Sequence, residues 1–210
     1  MSTVQEELYL GPELAGSLMT AEEFDAADDA DELYVYELIH GVLIVSPPPS
    51  EGERGPNELL GHLLRSYQDQ HPQGEALDYT LTEHTVHTAD NRRRADRVIW
   101  TGLGRVPNVR REFPTIVIEF VSAGRRSRHR DYEAKREEYL EAGIAEYWVI
   151  DRFRRQMTVF RQPSTGVPKL VVRDGEVYTT PLLPGFELPL TRLLAEADML
   201  AQAELDDQEA

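Results

Sequence analysis

Hydrophobic positions in this chain recur at two spacings. Leu59, Leu60, Leu63, Leu64 and Tyr67 fall three and four apart, the spacing of one helix face, and Asn57 is placed to cap a helix running to about Gln70. Tyr34 to Val45 instead reads as two short strands around His40-Gly41, where glycine supplies the positive φ of a tight turn. Further strands are predicted over 75–82, 84–88 and 95–101. Phe113 to Val121 is almost continuously apolar, as in a central strand buried on both faces. Asp131 to Ala142 predicts a helix closed by Gly143, and Ala145 to Ile150 predicts another apolar strand. Residues 156–161, 170–173 and 177–180 predict a terminal meander, and 191–203 a last helix. Near the start, Thr20-Ala21-Glu22-Glu23 fits a capping box opening a short acidic helix to about Ala30. Residues 1–19 read as an irregular acidic arm, 199–210 as an acidic tail, and Ser46-Pro47-Pro48-Pro49-Ser50 as a break in regular structure. The pattern is α+β: a single domain over 20–198, with a mixed sheet flanked by helices and a strand–helix–strand unit at its centre.

Composition narrows the chemistry. Of 210 residues, 40% are hydrophobic, enough for a core and too many for wholesale disorder. Cysteine is absent, which excludes disulfides, thiolate zinc sites and cysteine nucleophiles. Met1 to Leu10 carries Glu6 and Glu7 and no basic stretch, unlike a signal peptide. No apolar run nears the roughly 20 residues that cross a bilayer. The expectation is a cytoplasmic protein with no membrane association.

The net charge of −16 counts at first against a nucleic-acid partner. Its distribution changes that. Residues 1–53 hold thirteen acids and no Lys or Arg, and residues 193–210 hold six acids and again neither. Between Arg92 and Arg155 lie sixteen of the 22 basic residues against ten acids. Such a stripe is either a phosphate-binding surface or a solvated face neutralised by the acidic arms.

Glu119 is the most informative single residue. It interrupts Thr115-Ile116-Val117-Ile118-Glu119-Phe120-Val121, where a carboxylate is costly unless something neutralises it. Asp96 shares a strand face with Val98 and Trp100, and Glu37 lies within Leu33 to Ile39. Three such carboxylates could converge on magnesium or manganese, which favour oxygen ligands. Equally, Asp96 could pair with an arginine, and Glu37 could sit at an exposed strand edge. Lys135 is one of only two lysines beside twenty arginines. With Tyr132, Tyr139 and Ala142 at i−3, i+4 and i+7, it lies on the inward side of its helix. There it is either a compact charge for a reacting phosphate or a snorkelling surface lysine. None of the six histidines suggests a catalytic role. A hydrolase elbow, a His-Glu-x-x-His motif, a Walker loop and a dinucleotide fingerprint are all missing, so no nucleotide cofactor is expected.

Read in order, several segments resemble the Uma-type restriction endonuclease family of the PD-(D/E)xK nuclease superfamily. They are Tyr36 to Gly41, Ala95-Asp96-Arg97-Val98, Ile118 to Ser122, Lys135 to Tyr139, Ala142 to Asp151 and Leu183-Pro184-Gly185-Phe186. The string Gly143-Ile144-Ala145-Glu146-Tyr147-Trp148-Val149-Ile150-Asp151 is the most specific. The resemblance spans about Tyr34 to Leu190 and implies a restriction-endonuclease-like fold. It also implies that Asp96 and Glu119 ligate the metal, with Glu37 in support. The superfamily lysine usually stands two residues after the glutamate, where this chain has Val121; in this family its role passes to a lysine on the next helix, here Lys135. Ala95 replaces the usual proline before the aspartate, and His40 replaces a usual aspartate in the turn. The expected activity is magnesium- or manganese-dependent cleavage of DNA, catalysed by Asp96, Glu119 and Lys135 with Glu37. Arg125, Arg126, Arg128 and Arg130 would hold the nucleic-acid backbone, and a homodimer is compatible with cutting both strands. The alternative is a degenerate nuclease fold that only binds nucleic acid or protein.

Overall fold

A computed structural model describes residues 8–27, 29–124, 129–163 and 166–208. They form two compact units, one built from the chain up to Pro48 together with Thr85–Arg94, the other from Pro49–His84 and from Ala95 onward.

The smaller unit centres on the hairpin β3 (Val35–Ile39) and β4 (Val42–Ser46). Its turn takes positive φ at two successive residues, His40 at 49° and Gly41 at 75°. Sequence alone assigned that geometry to glycine. Histidine, like aspartate and asparagine, is among the few other residues that occupy the left-handed region with any frequency. The exchange of Asp for His at this position therefore keeps the turn, and Asn91 Oδ1 accepts the His40 N–H at 2.7 Å. Thr20 and Glu23 form the expected capping box at 3.1 and 2.7 Å. Helix α1 nevertheless covers only Ala21–Asp25. Asp25 is held by a two-pronged ion pair with Arg92, at 2.7 and 2.6 Å. Residues 29–30 form a strand instead, β2 (Asp29–Ala30), parallel to β1 (Tyr9–Leu10). The segment expected to be an irregular arm thus supplies a strand and buries Leu10 against Tyr36 and Leu43.

The larger unit opens with α2 (Glu51–Gln70), six residues before the Asn57 cap expected from sequence. Ser50 is the cap: its N–H and hydroxyl both donate to Glu53 Oε2, at 2.8 and 2.9 Å. The Ser-x-x-Glu signal was present but overshadowed by the proline run before it. Strands β5 (Leu77–His87) and β6 (Arg92–Thr101) each carry the chain from one unit to the other. The two strands predicted around residue 83 are one, with Glu83 at φ 48° in its middle. Then come β7 (Ile116–Phe120), a π-helical turn (Arg130–Ala134) running into α3 (Lys135–Glu141), and β8 (Glu146–Asp151). β9 (Gln156–Arg161) and β10 (Lys169–Arg173) follow. Within this unit the sheet order is β10-β9-β8-β7-β6, with β5 paired to β6; β7 and β8 are the parallel pair. The predicted meander divides. β9 and β10 extend the main sheet, while β11 (Val177–Thr180) pairs with β12 (Leu183–Pro189), a strand concealed by Pro184 and Gly185. The last helix, α4, runs over Leu190–Gln208. No helix among the described residues is long and apolar enough to cross a membrane.

Alternation along β7 decides what each sheet face does. Ile116, Ile118 and Phe120 point to the core, with Leu60, Leu64 and Tyr67 of α2 and Leu190, Leu193 and Leu194 of α4. Glu119 therefore points the other way. On β6 the same alternation sends Arg97 to the α2 face. There it is buried, and its guanidinium binds Asn57 Oδ1 at 2.7 Å, the Asn57 carbonyl at 2.9 Å and Thr80 Oγ1 at 3.3 Å. Gly61 exists for this guanidinium. A helical glycine ordinarily costs about 1 kcal/mol against alanine. Here an added Cβ would stand 2.6 Å from Arg97 Nη2. Gly61→Ala is accordingly expected to lower the urea-unfolding stability by about 1–3 kcal/mol, the cost of overpacking. The stabilisation normal for an open helix would show that Arg97 is not held as described.

Candidate active site

The site begins where two strands part. β6 and β7 pair antiparallel with Arg97 opposite Ile118, Val98 opposite Val117 and Ile99 opposite Ile116. Continued by one step, that register sets Asp96 opposite Glu119. At this step the Phe120 N–H donates to a side chain, Asp96 Oδ2, at 2.6 Å. Asn57 Nδ2 steadies the same residue from α2 by donating to the Asp96 carbonyl at 2.9 Å. Glu119 lies beside it, 3% exposed.

The helical segment after β7 supplies the counter-charge. Lys135 is 2% exposed, and its Nζ lies 2.9 Å from Glu119 Oε1. Tyr139, one turn on, donates its hydroxyl to the same oxygen at 3.2 Å. The inward reading of this helix face is correct and the surface reading is not. Lys135 sits at the junction where the π turn becomes α-helix, its N–H bonded to the Arg130 carbonyl five residues back. Such turns are rare and concentrate at functional sites. The Tyr147 ring packs edge-on to Tyr139 at 5.1 Å, and its hydroxyl donates to the Asp131 carbonyl at 2.8 Å.

Acid outweighs base in this enclosure. Burial pushes the Asp96 carboxyl up to about 7, against the pull of Lys135 and of the Phe120 N–H; Glu53 and Asp131 push it further. Burial likewise lifts Glu119 to about 8, with Lys135 opposing and the Asp96 and Asp131 charges adding to the rise. Tyr147 is driven well above the usual phenol range, by burial first and by Glu119 next. An enclosure of oxygen acids holding protons near neutral pH is suited to accept a cation in their place.

Of the residues singled out from sequence, Asp96, Glu119 and Lys135 come together in the larger unit. Glu37 stands in the smaller one, 4% exposed, its Oε1 accepting the Arg94 N–H at 3.0 Å; it is not at an exposed edge. Arg130 is tied to Asp131, Nε to Oδ1 at 3.0 Å. Arg125, Arg126 and Arg128 lie outside the described residues. Three participants escaped the sequence reading: Asp131, Glu53 and the Tyr147 hydroxyl. Asp131 had a usable signal, standing four residues before Lys135 on the same helix face. Among the described residues no three acidic or imidazole side chains close on one point as a ready-made metal cage.

Much of the basic stripe is consumed internally. Arg92 serves Asp25, Arg97 serves α2, and Arg105 serves Glu112. Arg155 pairs with Asp174 and Asp198. Beyond the stripe, Arg161 joins the fully buried Glu146 at 2.9 Å, where the Tyr178 and Thr180 hydroxyls also converge. The excess of arginine in this window is therefore no measure of a free anion-binding surface.

Residues 21–191 match the family Uma2, described as "Putative restriction endonuclease". The chain belongs to this family. The Uma2 match takes in every element from α1 through β12. In structure the chain is similar to a crystallised protein from Anabaena variabilis ATCC 29413, titled a putative nuclease belonging to DUF820. The TM-score is 0.66 at 18% identity, over 85% of this chain and 99% of that one. This likeness agrees with the restriction-endonuclease-like α+β fold expected from the sequence. No curated protein matches the chain.

The raised carboxyls fix the sign of a pH effect. Asp96 and Glu119 hold protons in the folded chain at pH values where the unfolded chain has lost them. The stability that these two carboxyls contribute therefore falls as pH rises from about 4, the ordinary carboxylate range, to about 8, and their contribution is level outside that window. Thermal melts without divalent cations should show this decline. In Glu119→Gln the decline should be shallower, and a slope equal to that of the unsubstituted chain would contradict the burial argument.

Proposed function

We propose that this chain is a divalent-cation-dependent endonuclease that hydrolyses phosphodiester bonds in DNA, with Asp96, Glu119 and Lys135 as its catalytic residues. The observation that carries the reading is the 2.9 Å contact between a helix-borne lysine and a carboxylate buried in the central strand, with Asp96 opposite. A purely structural pair is a poor substitute for apolar packing at such a place. The donor set fits magnesium or manganese, because it offers carboxylate and carbonyl oxygens and the chain has no cysteine. Asp96, Glu119 and the Phe120 carbonyl would hold the ion.

When bound, the cation lowers the pKa of water and neutralises charge on the scissile phosphate. The residues do the rest. Lys135, held in place by Glu119, directs an ammonium N–H at the attacking water or at a phosphate oxygen, where negative charge grows in the transition state. Tyr139 fixes the Glu119 rotamer. Arg130 with its loop neighbours Arg125, Arg126 and Arg128 contacts the sugar–phosphate backbone.

Incubation of plasmid and single-stranded DNA with the full chain tests this directly. Cleavage is expected with magnesium or manganese and none with chelator. Glu119→Ala and Lys135→Ala should each reduce the rate by about a hundredfold or more. Undiminished cleavage in either would remove the assignment, and DNA binding without any cutting would favour the degenerate module. Cation uptake at pH 7 should also release protons, because Asp96 and Glu119 must ionise to bind. Calorimetry in buffers of different ionisation heat reads that release as a buffer-dependent enthalpy.

A further inference from the structure

One buried acid is left idle by the reading above. Asp131 lies on the π turn, its side chain 1% exposed. Oδ1 is taken by Arg130, but Oδ2 is buried with no hydrogen-bond partner among the described residues. Lys135, four residues on and equally buried, reaches Glu119 and leaves Oδ2 unserved. A buried carboxylate oxygen without a donor is costly, and in native proteins it calls for a functional role or for an ordered water or ion. The Asp131 side chain is close enough to the other two acids for its charge to push both upward. The same residue's carbonyl is held by Tyr147, whose ring packs on Tyr139, and Tyr139 in turn binds Glu119.

We propose that Asp131 Oδ2 is the acceptor for a water in the hydration shell of the cation held by Asp96 and Glu119, so that Asp131 is a positioning residue of the site. The proposal rests on the cation-dependent reading. Three facts support it. The three acids do not meet at one point, which fits contact through water better than direct ligation. Magnesium gives up its waters reluctantly and usually keeps several. Asp131 on the π turn and Lys135 at its junction with α3 stand four residues apart and are both buried, so one helical segment brings an acidic oxygen and an ammonium into the interior.

Asp131→Asn is a pointed test, because Arg130 determines how the amide sits. Arg130 Nε requires an oxygen at the Oδ1 position, so the NH2 group takes the place of Oδ2 and an acceptor becomes a donor. Manganese binding by the full chain without DNA, followed by calorimetry and electron paramagnetic resonance, gives a readout independent of cleavage. The unsubstituted chain is expected to bind, Glu119→Gln to lose binding, and Asp131→Asn to bind about tenfold or more weakly with an altered manganese spectrum and an unchanged far-UV circular dichroism spectrum. Unaltered affinity and spectrum in Asp131→Asn would overturn the role of Asp131 alone. Absence of manganese binding by the unsubstituted chain would overturn the cation-dependent reading and this inference with it. Should Asp131→Asn fail to fold, a manganese-bound crystal structure of the unsubstituted chain decides: a water between the ion and Oδ2 supports the assignment, and its absence rejects it.

Discussion

The larger unit is organised around a buried acid that must not be left alone. Glu119 occupies the middle of its most apolar strand, with the sheet on both sides and helices over the faces. Burial holds a proton on it up to about 8, and Lys135 and Tyr139, both at one of its oxygens, are what let it ionise at all. Truncating either member of a buried ion pair strands the other, a loss of about 3–5 kcal/mol. The position of α3 over the sheet is therefore dictated by electrostatics as much as by apolar contact. The π turn before it is part of the same solution, since it sets the phase in which Lys135 enters.

β6 shows how one strand separates two duties by alternation alone. Asp96 turns towards Glu119, and Arg97 turns towards α2. Asn57 touches both residues, donating to the Asp96 carbonyl and accepting from Arg97. The helix that covers the core thereby also fixes the backbone from which a candidate ligand projects. Burial draws the Arg97 pKa down to about 10, with the Glu58 charge opposing, and the guanidinium hydrogen-bonds to the neutral oxygens of Asn57 and Thr80.

What the sequence disclosed follows the same physics. Glu119 was conspicuous because a carboxylate in an apolar run violates the hydrophobic pattern, and Lys135 because the chain otherwise favours arginine. The α+β class and the strand–helix–strand centre followed from a clean change of period between β7, α3 and β8. Asp131 was passed over because acids on helices are ordinary; its spacing of four from Lys135 was the one signal, and its burial is what makes it unusual. The start of α2 and strand β12 were missed because proline and glycine normally punctuate structure, whereas here the ends of regular elements tolerate them. Net charge misled in the opposite direction: the arginine-rich window suggested an open surface, and many of those side chains turn out to be internal partners.

The hydrogen bond from Phe120 to Asp96 has an evolutionary corollary. The carboxylate offered as a cation ligand also replaces a carbonyl in the ladder between two central strands. Loss of Asp96 would leave a backbone donor unsatisfied in the interior, so selection for folding guards this residue even in a lineage that no longer cuts anything. Among homologues, retention of an aspartate at position 96 therefore reports on the sheet as well as on chemistry.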